Sequence, residues 1–236
     1  MKLTWFLRAA AAPALVAGGY WLGVAHGPWP AVAAGALAVL AFLSMSASRD
    51  VAIVSFIGVG AVLLALGFGV VPGFSRLPLG GASLNTAKLL AGLGAAAMFP
   101  SPLRWNARCT AIAAVTLIGV PIVAWAISHV RWAPATPEKL LWFAVANLFT
   151  VIAEEWFFRR WIQQPLQPHV GGALALLASA ALFGLAHFAG GTQFMLLAAL
   201  AGLGYGAVFW ASGSIWAAVL LHLMLNVLRA TLFGLS

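Results

Sequence analysis

Five side chains in the second half of the chain have the types and spacing to hydrolyse an amide. Glu154 and Glu155 stand together in Ala-Glu-Glu-Trp-Phe-Phe-Arg-Arg (153–160), His187 closes Phe-Gly-Leu-Ala-His (183–187), and His222 opens His-Leu-Met-Leu-Asn (222–226). The two glutamates are half of the four acids in the chain, and no Lys, Arg, Asp or Glu occurs between Trp161 and Leu228. Ionisable groups in so apolar a setting are costly, so they point to function. A carboxylate and an imidazole can hold a water and take its proton. A second imidazole and a carboxamide can donate hydrogen bonds to the oxyanion formed when that water attacks a carbonyl.

The spacing suggests a division of labour. Glu154 and Glu155 are about 100° apart around a helix, so only one points straight into a shared site. Arg159 follows Glu155 at i+4, where opposite charges meet on a helix face. Glu155 is therefore expected to pair with Arg159, and Glu154 to turn inward as the general base. His222 and Asn226, also four apart, share a face. A structural ion network would account for the glutamates but leaves the histidines unexplained. Two histidines and a glutamate are also a ligand set that suits catalytic zinc, although no His-Glu-x-x-His supports it. Serine chemistry has less support: Ser212 and Ser214 lie in no Gly-x-Ser-x-Gly.

The elements that must position these residues are membrane helices. Of 236 residues 64% are hydrophobic and 7% charged, with a mean hydropathy of +1.03. Apolar windows of about 20 residues predict spans near 8–26, 30–48, 51–71, 84–99, 109–129, 139–163, 171–188, 192–211 and 215–233. The fourth is short enough to be tilted or re-entrant, so the fold class is an all-α, polytopic bundle of eight or nine helices. Residues 1–236 leave no room for a separate soluble domain. The N-terminus has the charge and apolar run of a signal peptide but no strong cleavage site, and is expected to be an uncleaved first helix.

The net charge of +8 comes from twelve scattered basic residues, which form no nucleic-acid patch and serve better as anchors at span ends. Lys88 is counted among those anchors. Trp5, Trp29, Trp105, Trp132, Trp161, Trp210 and Trp216 fall near span ends, as an interfacial belt requires. Gly202 and Gly206 are a small-xxx-small pair suited to close helix packing. Cys109 is the one cysteine, so no internal disulfide forms.

Glu-Glu-Trp-Phe-Phe-Arg (154–159), Phe-Gly-Leu-Ala-His (183–187) and His-Leu-Met-Leu-Asn (222–226) resemble, in order and spacing, the three motifs of the CAAX-processing and bacteriocin-processing (CPBP, or Abi) intramembrane protease family. Ser-Gly-Ser-Ile-Trp-Ala (212–217) resembles its lead-in to the third. The resemblance covers 139–233 and leaves the helices of 1–138 without a motif. It implies an endopeptidase in which Glu154 activates water with His187, His222 and Asn226 stabilise the oxyanion, and Glu155 and Arg159 give support. Arg160 departs from the glycine that many relatives carry there. The resemblance implies a membrane-anchored peptide or protein substrate, and the Ala- and Gly-rich composition suggests a prokaryotic plasma membrane. No cofactor is required on this reading, and zinc stays open. The alternatives are a catalytically silent membrane partner and a proton-coupled transporter; no internal repeat supports the latter.

Overall fold

A computed structural model describes residues 8, 10–45, 48–80, 82–127 and 130–234. Lys2, Trp5 and the span ends at 46–47 and 128–129 lie outside them. The described chain is all-α apart from one short hairpin, and has nine helices when Pro137–Val170 is counted as one. It divides into two compact units, one of 1–100 with 149–157 and one of 101–148 with 158–236.

In the first unit, α1 (Ala11–Trp21) packs on α2 (Trp29–Leu43), α2 on α3 (Arg49–Gly67), and α4 (Thr86–Met98) on α1 and α3. Between α3 and α4 lies an antiparallel hairpin that the span windows did not foresee. Its strands, β1 (Arg76–Leu79) and β2 (Ala82–Asn85), pair Arg76 with Asn85 and Leu79 with Ala82. Gly80 has φ +47°, which suits the tight turn between them. The predicted fourth span thus begins too early: Leu84 and Asn85 belong to β2. Asn85 then caps α4, its Oδ1 accepting from the Lys88 N–H at 3.1 Å.

In the second unit, α9 (Gly191–Ser212) packs against α5 (Ala107–Ala126), α8 (Gly172–Leu185) and α10 (Ile215–Phe233). Small residues let it approach. A Cβ on Gly202 would lie 3.3 Å from that of Phe183, and one on Gly184 would lie 2.7 Å from the Met195 carbonyl oxygen. The close packing expected of Gly202 and Gly206 is present. Gly213, at φ +64°, ends α9, and Ser214 starts α10 by accepting from the Ala217 N–H at 3.2 Å. Ser212 Oγ donates to the Val208 carbonyl at 2.7 Å, so Ser212 sits at the end of one helix and Ser214 at the start of the next.

The remaining helix, α6 (Pro137–Glu155), starts on a proline with Glu138 in its first turn, both favourable at a helix N-terminus. It does not continue as an α-helix through 163. Residues Trp156–Gln163 form a π-helix, and α7 (Gln164–Val170) resumes the α geometry. Glu155 and Arg159 therefore stand on either side of the junction between α6 and the π segment. π turns are rare and often mark functional sites.

Five helices among the described residues are long and apolar enough to cross a membrane: Arg49–Gly67, Ala107–Ala126, Pro137–Val170, Phe188–Ser212 and Ile215–Phe233. On α5 the bulky side chains Val115, Ile118, Ile122 and Trp125 are all exposed along one face, a stripe that water would penalise and lipid accepts.

Candidate active site

The first unit holds both glutamates. Glu155 is fully buried, and Glu154 is partly so. Glu154 Oε1 lies 2.8 Å from Lys88 Nζ, an ion pair between α4 and the end of α6. The charge of Lys88, read from sequence as an anchor, is directed at the carboxylate. The contact depends on Gly92, one turn further along α4. A Cβ there would fall 2.9 Å from the Ala153 nitrogen and 3.1 Å from the Phe149 carbonyl oxygen, so a larger residue would force the helices apart. Beyond Glu155, the buried Trp156 donates its indole N–H to the Phe99 carbonyl at 3.0 Å, fixing the start of the π segment.

The second unit holds Arg159, both histidines and Asn226. Arg159 is fully buried and donates to Gln163 Oε1 at 3.1 Å and Ser179 Oγ at 3.0 Å. Gln163 Nε2 donates onward to the Gly206 carbonyl at 2.9 Å, and Ser179 Oγ to the Phe158 carbonyl at 3.1 Å. This network ties the π segment to α8 and α9. A guanidinium can be buried there because hydrogen bonds offset the loss of water. Gln163 and Ser179 are supports that motif reading missed.

The histidines meet the same aromatic ring. Phe183 lies 4.6 Å, between centroids, from His187 and 5.6 Å from His222. Tyr205 stacks on His222 at 4.2 Å with the planes 14° apart, which holds that imidazole flat. His187 lies just past the end of α8, where Nδ1 is 2.7 Å from the Phe183 carbonyl oxygen. A carbonyl only accepts, so Nδ1 carries the proton and the lone pair of the neutral ring is on Nε2. That tautomer suits a proton acceptor.

Asn226, on α10, donates from Nδ2 to Asn147 Oδ1 at 2.9 Å. Asn147 carries no motif signal beyond being polar within an apolar span. Tyr205, one of two tyrosines in the chain, was likewise overlooked. Among the described residues, no three His, Cys, Asp or Glu side chains gather as a metal-binding group.

Apolar helices carrying inward-facing polar groups define an integral, multi-pass membrane protein. Residues 135–228 match the family model described as Type II CAAX prenyl endopeptidase, Rce1-like, consistent with the CPBP resemblance. The matched stretch contains Glu154, Glu155, Arg159, His187, His222 and Asn226. The match spans less than half of the chain. No curated protein and no solved structure matches the chain.

Proposed function

We propose that the protein is an intramembrane endopeptidase that cleaves a peptide bond of a membrane-anchored substrate with water activated by Glu154 and His187. Water gives its proton to the Glu154 carboxylate while its oxygen attacks the scissile carbonyl carbon. His222 and Asn226 donate hydrogen bonds to the resulting oxyanion. When the C–N bond breaks, the proton goes to the leaving amine, regenerating the carboxylate. Glu155 and Arg159 act on the fold around this chemistry.

The observation that carries this reading is the fixed state of His187, with Nδ1 bound to the Phe183 carbonyl and its ring packed on the aromatic side chain that also meets His222. With Nδ1 engaged in this way, Nε2 is the nitrogen that can accept a hydrogen bond from the water whose proton goes to Glu154. Two donors from α10, one oriented by stacking and one by a side-chain hydrogen bond, suit oxyanion stabilisation, which depends on preorganised dipoles.

The membrane is taken to be a prokaryotic plasma membrane, and the substrate a leader, a lipidated tail or a C-terminal sorting segment. Cells carrying wild type or Glu154→Ala, each expressing C-terminally tagged membrane proteins, test the proposal. Wild type should remove the tag from a subset that the variant leaves intact. Identical tag patterns in the two would refute it.

A further inference from the structure

Lys88 is placed with more care than a surface anchor needs. Its backbone N–H is bound by the Asn85 cap at 3.1 Å, which fixes where the side chain leaves α4. Gly92 brings α4 against the backbone of α6 one turn on. Nζ then reaches Glu154 Oε1 at 2.8 Å, with the side chains only 22% and 17% exposed. Cap, glycine and ion pair all serve one contact.

Stability is a weak reason for that contact. Withdrawing an ammonium and a carboxylate from water costs several kcal/mol per ion, and replacing such a pair by apolar side chains is often neutral or stabilising. Immobilising a lysine costs up to ~2 kcal/mol more in side-chain entropy. For a base the balance differs. A carboxylate in an apolar setting stays ionised only when a cation or hydrogen-bond donors face it, and a protonated acid cannot take a proton from water.

We propose that Lys88 is a positioning residue for Glu154, holding its carboxylate ionised and fixed in orientation without touching the substrate. This rests on Glu154 being the base. The ammonium gives up no proton in the cycle, so Lys88 acts entirely through Glu154 and is dispensable once that carboxylate is gone.

The test uses the full chain in detergent or nanodiscs with a prenylated, internally quenched peptide ending in a CAAX sequence. Lys88→Met should lower kcat by roughly tenfold or more, within the ~10²–10⁴-fold that a general base supplies, with KM changed less than about twofold. Lys88→Arg should restore most of kcat, because it returns the cation. In a Glu154→Gln background, Lys88→Met should cost nothing further, as expected of residues that act as a unit. Should Lys88→Met fail to insert, Lys88→Gln replaces it with the same expectation. A neutral variant with wild-type kcat, an Arg variant no better than Met, or additive losses in the double variant would overturn the role of Lys88 alone. Full cleavage by Glu154→Gln would instead remove the base and this inference with it.

Discussion

Asn226 Nδ2 donates to Asn147 Oδ1 across 2.9 Å, so one side-chain amide sets the direction of another. An Asn amide can turn over about its last torsion, exchanging donor for acceptor. With Asn147 accepting, Asn226 keeps its nitrogen in place, and that nitrogen carries a second N–H. Asn226→Ala should then cost ~10²–10³ in kcat, about 2.7–4 kcal/mol of transition-state stabilisation, with substrate still bound. Asn147→Leu should cost less, on the order of tenfold, and the double variant should be no slower than Asn226→Ala. Single-turnover cleavage and co-purification of uncleaved substrate provide the readouts.

Glu154→Gln keeps the shape of the side chain and removes its basicity. Cleavage should fall ~10²–10⁴-fold while the variant stays inserted and monodisperse. Loss of protein from the membrane instead of loss of rate would mean that the carboxylate serves folding.

Asn226→Asp separates hydrolysis from proton transport. A carboxamide does not titrate, so it cannot relay protons. As an oxyanion donor it should fail when replaced by Asp, leaving cleavage as low as in Asn226→Ala. Preserved or raised proton flux in reconstituted vesicles, with no cleavage by wild type, would establish the transporter instead.

Elemental analysis of purified protein decides the metal question. With water activated by Glu154 and His187, zinc should be substoichiometric and chelators should inhibit weakly. Stoichiometric zinc, lost with activity in His187→Ala and His222→Ala, would assign these side chains as ligands.

Gly206→Ala probes the network around Arg159. A Cβ there would lie 2.4 Å from Leu176 Cδ1, 2.8 Å from Gln163 Oε1 and 3.0 Å from an Arg159 guanidinium nitrogen. Leu176 can turn away, but the buried Arg and Gln are held by their hydrogen bonds. The expected loss is about 1–3 kcal/mol, seen as a lower midpoint of thermal unfolding in detergent.

Hydropathy and motif spacing made the helices and the polar side chains of three of them legible, because an apolar window records membrane thickness and a histidine in such a window has few bland explanations. The hairpin was not legible at that scale. Its signal is local: Gly80-Gly81 between two four-residue runs, in a stretch that a window of about 20 residues averages away. The π segment leaves no periodicity of its own. Trp156 and Arg159 show it only through partners distant in sequence, Phe99 and Ser179. Lys88 was visible as the one cation in the predicted span 84–99. Its partner was not, because charge near a span end is usually an anchor and Glu154 lies 66 residues away in sequence. Asn147 could have been marked by the same reasoning applied to polar side chains in α6.

The bond from His187 Nδ1 to the Phe183 carbonyl leaves the imidazole with one working nitrogen. A ring with both nitrogens available could load a proton on one side and unload it on the other, passing it through like a turnstile. His187 has a single port. On the proposed reading the proton travels on Glu154, so Nε2 only accepts a hydrogen bond from the attacking water and holds it in line; nothing passes through the ring.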